Sequence, residues 1–173
     1  MKMGILGVGE LTEKIVAGLT AAETAAEIVL SPRNATRAER LRETCGCRVA
    51  GSSQAAAEDA DIVIAGVRPD ALAGLASEVS LKPNQLLVSL VAGVSMDQLQ
   101  TLFGHKGVVR MMLTYAAGIN QTTVVLTACD EKTRTFFSAL GEVIVLENEE
   151  LFELATVSMC MNGWLYHLPD GLQ

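Results

Sequence analysis

Short, continuous apolar runs recur along the chain at residues 3–6, 28–30, 62–65 and 86–91, each closed by glycine or polar turn residues. Between them lie stretches suited to helices. Leu11, Ile15, Val16 and Leu19 stand at helical spacing within residues 10–22, and residues 35–45 carry good helix formers around Leu41. Pro69 and Pro83 fall beside element boundaries, where a fixed φ and a missing N–H do least damage, and they punctuate a helix expected over residues 70–79. Strands that are apolar throughout, rather than alternating, are covered on both faces. The pattern therefore predicts an α/β fold, a doubly wound, mostly parallel sheet with helices on both faces. It continues with an apolar stretch over 108–113, a β-branched run over 122–127, a helix over 131–140, a strand over 143–146 and a helix over 147–157. One domain is expected over residues 1–157, with 158–173 as the start of a C-terminal helical region that is truncated or absent.

The first strand leads into Gly7-Val8-Gly9 and then directly into a helix, the setting in which a dinucleotide-binding glycine motif is credible. Gly7 permits a tight turn, and Gly9 lets a pyrophosphate approach the N–H groups and the positive dipole at the helix start. Thr12 stands where a third glycine is usual. After the second strand an NAD-binding domain normally offers an acidic residue to the ribose hydroxyls. The sequence here is Leu30-Ser31-Pro32-Arg33-Asn34. A serine hydroxyl and a guanidinium suit a 2′-phosphate, which a carboxylate would repel, so NADP (NADPH) is expected over NAD. Arg37, Arg40 and Arg42 are expected to solvate the following helix. The fold class is accordingly Rossmann-type.

Composition narrows the partners. Thirteen basic residues against twenty acidic ones give a net charge of −7, with no basic stripe, so nucleic acid is not an expected partner. No apolar run reaches the roughly 18 residues of a membrane-spanning helix, and the N-terminal residues do not extend into a signal-peptide pattern, so a soluble, cytoplasmic protein without membrane association is expected. Cys45, Cys47, Cys129 and Cys160 lack metal-ligand spacing, which points to reduced thiols and no metal site. His105 sits in the turn Gly104-His105-Lys106-Gly107 and is expected to be exposed; neither it nor His167 is expected to be catalytic. Tyr115 is expected to pack, with hydrogen bonding to a substrate as the alternative. The catalytic residues are not identified.

Gly4-Ile5-Leu6-Gly7-Val8-Gly9, Gly66-Val67-Arg68-Pro69, Ser89-Leu90-Val91-Ala92-Gly93-Val94-Ser95 and Val109-Arg110-Met111-Met112 resemble successive blocks of pyrroline-5-carboxylate reductases, in order and spacing, over nearly the whole chain. The resemblance implies that Gly7, Gly9, Glu10 and Leu11 form the pyrophosphate turn and that Ser31, Arg33 and Asn34 meet the 2′-phosphate. It places Ser53 on the adenosine side, and Val67, Arg68, Pro69, Ala92 and Gly93 along the cofactor toward the nicotinamide. It implies an NADPH-dependent reductase of a small cyclic imine, serving proline biosynthesis, and a homodimer with a small-molecule substrate. Two blocks depart from the family. Its MPNTP loop reads Met112-Leu113-Thr114-Tyr115-Ala116, and its SGSGP stretch reads Met159-Cys160-Met161-Asn162-Gly163. Two further readings therefore stand beside the first: an NADP-binding paralogue without reductase activity, and a reductase of a different small substrate. Leu151, Phe152, Leu154, Val157, Trp164 and Leu165 suggest an apolar surface that needs a partner.

Overall fold

The computed structural model describes residues 1–167, with side chains through Met159. The expected Trp164 and Leu165 surface, His167, the thiol of Cys160, the counterpart of SGSGP beyond Met159 and most of the expected C-terminal region lie outside the described side chains or residues. The strands are β1 (Lys2–Leu6), β2 (Glu27–Leu30), β3 (Arg48–Val49), β4 (Ile62–Ala65), β5 (Leu86–Ser89), β6 (Val108–Met112), β7 (Thr122–Leu126) and β8 (Gly141–Val145). They form one sheet in the order β3-β2-β1-β4-β5-β6-β7-β8. Every neighbouring pair is parallel except β6 with β7.

Side chains of successive residues leave opposite faces of a strand, so a continuous apolar run feeds two cores at once. On β1, Met3 and Ile5 join the core that holds Ile15, Val16 and Leu19 of α1 (Glu10–Ala21) and Leu41 of α2 (Ala35–Cys45). Leu6 joins the core on the other face, with Ala56 of α3 (Ser53–Ala57), Leu72 and Leu75 of α4 (Pro69–Glu78) and Leu99 and Phe103 of α5 (Met96–Phe103). On β4, Ile62 and Ile64 go one way and Val63 and Ala65 the other. Each such aliphatic side chain, once buried, favours the fold by about 1.5–3 kcal/mol.

The fold class is the one that the apolar pattern predicts, with several boundaries moved. The fourth run ends as a strand at Ser89, because Leu90 and Val91 already belong to the following turn. The helix expected from residue 70 begins at Pro69, which occupies its first turn. The helix expected over 131–140 is α6 (Glu131–Phe137), tightened into a 3-10 turn over Ser138–Leu140. The short elements β3, α3 and α5 and a 3-10 turn over Tyr115–Ile119 were not anticipated. His105 is buried rather than exposed: it is 7% accessible, and its ring Nε2 lies 2.8 Å from the carbonyl oxygen of Gln85. A carbonyl only accepts, so Nε2 carries the hydrogen. Tyr115 is 58% exposed rather than packed.

Among the described residues, Arg110 of β6 fastens the start of the last helix, α7 (Glu149–His167), to the sheet. Arg110 on β6 is 1% exposed and pairs through Nη1 with Glu149 at 2.8 Å and Glu153 at 2.5 Å. Its guanidinium carbon lies 4.7 Å from the centroid of the Phe152 ring, a cation–π contact. Glu149 Oε1 also accepts the N–H of Met96 at 2.8 Å, which ties the start of α5 to the same carboxylate. Phe152 is therefore buried, at 2%, and is not part of an exposed apolar surface; Leu151, Leu154 and Val157 are exposed. Replacing Arg110 with Met removes the shared cation and leaves two neighbouring carboxylates without it. Both carboxylates reach water, so the expected loss is about 1–3 kcal/mol of unfolding free energy in urea melts, with α7 amides losing exchange protection before the sheet does. An unchanged midpoint would show that α7 is held by other contacts.

Candidate functional site at the carboxyl ends of the strands

β1 lies between β2 and β4, so the chain winds outward from it in both directions. In an open parallel sheet the crevice outside the carboxyl ends of the strands at such a reversal is the ligand position. The turn from β1 to α1 occupies it. Gly7 has φ +95°, and a Cβ there would meet Val67 Cγ1 at 2.6 Å and the Gly66 carbonyl oxygen at 2.7 Å. Only glycine satisfies both the conformation and the space. By contrast, a Cβ on Gly9 would meet nothing nearer than the Gly66 oxygen at 3.9 Å, so the backbone there is approachable from outside. The first-turn amides of α1, Glu10, Leu11 and Thr12, have no intrahelical acceptor and carry the positive end of the helix dipole.

Neighbouring side chains hold this turn. The Gly7 N–H donates to Ser31 Oγ at 3.0 Å, and Asn34 Nδ2 donates to the Val8 carbonyl at 3.1 Å. Asn34 Oδ1 accepts the Arg37 N–H at 3.3 Å and so also caps α2. Thr12 is buried, and its Oγ1 accepts the Gly9 N–H at 2.8 Å. Its methyl occupies the space that a Cβ on Gly66 would enter. The glycine missing at residue 12 is thus matched by one at residue 66 across the turn.

The other expected cofactor residues fall on the same side of the sheet. Arg33 is exposed after β2, and its Nη2 pairs with Glu78 Oε1 at 2.8 Å. Ser53, at the start of α3, is buried and donates to Glu78 Oε2 at 3.2 Å. Arg37 and Arg40 both pair with Glu13, at 2.8 and 2.5 Å. Val67, Arg68 and Pro69 form the turn from β4 into α4, with Arg68 as its N-cap. Ala92 and Gly93 are exposed after β5. After β6, Thr114 opens the 3-10 turn Tyr115–Ile119, and the Tyr115 hydroxyl donates to Glu10 Oε2 at 3.1 Å. That bond requires the phenolic proton, so it raises the Tyr115 pKa above the ordinary phenol value; burial and the Glu10 charge act in the same direction, and Arg37 opposes them.

Ser31 is placed differently from the other expected phosphate residues. It is 1% exposed and stands behind the glycine turn, leaving Arg33 as the exposed cation at that end. Glu78, the packing of Gly66 against Thr12 and the Glu10–Tyr115 bond were not singled out from sequence. A separate hollow of about 490 Å³, lined in part by Asp61, Lys106, Asp130 and Lys132, opens at the opposite edge of the sheet.

Fold and turn together define the class, a Rossmann-type dinucleotide-binding domain. Residues 2–93 match the family described as NADP oxidoreductase, coenzyme F420-dependent. Pyrroline-5-carboxylate reductase of Escherichia coli K12 is 32% identical over 183 residues, covering 99% of this chain and 68% of that relative. The Synechocystis enzyme of the same name is 29% identical over 166 residues, covering 90% of this chain and 62% of the relative. A crystal structure of Plasmodium falciparum pyrroline carboxylate reductase, solved with NADP bound, superposes with a TM-score of 0.80 at 16% identity, over 99% of this chain and 67% of that one. The chain belongs to the pyrroline-5-carboxylate reductase family. It spans roughly two thirds of the length of these relatives, from 62% to 68%.

Two measurements check the geometry of the turn. Gly66→Ala should destabilise the protein by about 1–3 kcal/mol through overpacking against Thr12, and Thr12→Ser, which keeps the hydroxyl and deletes the methyl, should recover part of that loss. Additive effects of the two changes would contradict the contact. In an ultraviolet pH titration, the absorbance component lost in Tyr115→Phe should titrate above the free phenol, and Glu10→Gln should bring it down. A component insensitive to Glu10→Gln would mean that the hydrogen bond is not formed in solution.

Proposed function

We propose that the chain is the NADP(H)-binding part of an NADPH-dependent reductase of a small cyclic imine, with pyrroline-5-carboxylate reduced to proline as the reaction. The observation that carries this reading is the glycine turn at the β1–β4 reversal, followed after β2 by Arg33 where an NAD-binding domain has a carboxylate. The approachable backbone at Gly9 and the free first-turn amides fit a diphosphate. Family membership supports pyrroline-5-carboxylate as the substrate.

Bound NADPH supplies the hydride. The residues of this chain bind and orient it: the amides of Glu10 and Leu11 hold the diphosphate, and Arg33 takes the 2′-phosphate through charge-assisted bonds. Ser31 and Asn34 keep the turn in register with the end of β2. Ser53 serves the adenosine side, and Val67, Arg68, Pro69, Ala92 and Gly93 line the path toward the nicotinamide. Reduction of an imine already protonated on nitrogen needs positioning more than a side-chain nucleophile. The reading takes residues 1–157 as the cofactor domain and 158–173 as the start of a helical region. It also includes a homodimer, supported by exposed Leu151, Leu154 and Val157, and a cytoplasmic setting.

One observation favours a second reading. Tyr115 stands in the loop where the family has MPNTP, and it is hydrogen-bonded to Glu10 at the pyrophosphate turn. A changed loop on the substrate side suits a reductase of a different small substrate, or an NADP-binding paralogue without turnover. Fluorescence titration of the chain with NADPH and NADH tests the cofactor reading: NADPH should bind more tightly, and Arg33→Ala should weaken it roughly tenfold or more while leaving NADH nearly unchanged. Pyrroline-5-carboxylate is then added while NADPH absorbance is followed. Turnover supports the first reading, binding without turnover supports the second, and binding of neither cofactor contradicts both.

A further inference from the structure

Glu78, the last residue of α4, comes from outside every motif used so far, yet its carboxylate bonds to two residues of the cofactor assignment. One oxygen accepts from Arg33 Nη2 at 2.8 Å, and the other accepts from Ser53 Oγ at 3.2 Å. Both donors face an anion that already belongs to the protein. The Arg33 and Glu78 side chains are each nearly half exposed, at 45% and 48%, so the pair is open to solvent and to an incoming ligand.

We infer that Glu78 is a cofactor-specificity residue, an internal carboxylate that competes with the 2′-phosphate of NADP(H) for Arg33. The inference rests on the cofactor reading above and deepens it. A 2′-phosphate carries between one and two negative charges at neutral pH and cannot share the guanidinium with a carboxylate at contact distance without repulsion. Binding NADPH therefore requires the Arg33–Glu78 bond to open. NADH makes no such demand: its ribose 2′-hydroxyl can donate to a carboxylate, the role that an acidic residue after β2 fills in NAD-binding domains. Glu78 thus lowers the preference for NADPH that Arg33 creates. An exposed ion pair is weak enough to be displaced, so the carboxylate moderates selectivity without abolishing it.

The test is a set of titrations of the whole chain with NADPH, NADH, 2′,5′-ADP and 5′-AMP, comparing the wild type with Glu78→Gln, Arg33→Ala and the double variant. Glu78→Gln should tighten NADPH and 2′,5′-ADP by roughly three- to tenfold, and should leave NADH and 5′-AMP unchanged or weaker. The gain should vanish when Arg33 is also replaced, because nothing is then left to compete for. Glu78→Ala, which deletes both bonds, should act in the same direction and serves if the glutamine variant misfolds. Unchanged or weaker 2′-phosphate binding in the Glu78 variants, with Arg33→Ala still weakening it, overturns the role of Glu78 and leaves the cofactor reading intact. Insensitivity of every ligand to Arg33→Ala overturns the cofactor reading, and the inference with it.

Discussion

The space around Gly7 sets the position of everything at the carboxyl edge of the sheet. The turn passes so close to the β4 exit that its Cβ position is filled by Val67 and by the Gly66 carbonyl, at 2.6 and 2.7 Å. With φ at +95°, the turn reverses within a few residues and points the α1 N-terminus over the sheet edge. Because β1 is central, the same closure brings β2 and β4 to either side of the turn. Ser31 and Asn34 stitch it to one neighbour, and the Thr12–Gly66 exchange fits it to the other. A loosened turn would misplace both the amides and the cation that the proposed cofactor needs.

Charge is distributed so that three arginines at this edge are already partnered. Arg33 meets Glu78, while Arg37 and Arg40 meet Glu13 in the first helix. On the far side, Arg110 is buried against Glu149, Glu153 and Phe152, and it joins the last helix to the sheet. These pairs differ physically. The exposed Arg33–Glu78 pair contributes little to stability and remains free to exchange partners, whereas the Arg110 guanidinium is itself out of reach of water and is costly to leave unpaired. Exchange suits a binding edge, and permanence suits an anchor.

Much of this was legible in the sequence where the physics is local. Runs that are apolar at every position specify strands covered on both faces, and a glycine turn between a strand and a helix specifies an anion position. α5 carried its own signal, Ser95 with Gln98 as a capping box, but it offers only Leu99 and Phe103 as buried apolar positions and so gave little periodicity. The two residues of β3 are too few to show any pattern. His105 looked exposed because its neighbours are turn residues, and only the folded chain brings the Gln85 carbonyl to its ring. Glu78 lies 45 residues from Arg33, where no spacing rule reaches. The resemblance to pyrroline-5-carboxylate reductases was legible for the same reason as the glycine turn, since its blocks are the strand ends themselves. The expected roles of Ser31 and Arg33 divided once the fold was known: the serine lies behind the turn and the arginine stands outside it.

The central claim is that a dinucleotide binds across the carboxyl ends of β1, β2, β4 and β5. Backbone amide chemical shifts, followed while NADPH is added to the labelled chain, test it most directly. The account predicts the largest shifts at Gly7, Gly9, Leu11, Arg33 and Gly93, with the amides of Asp61, Lys106 and Asp130 at the opposite edge unmoved. Shifts centred on that opposite hollow, or none at the glycine turn, would contradict it.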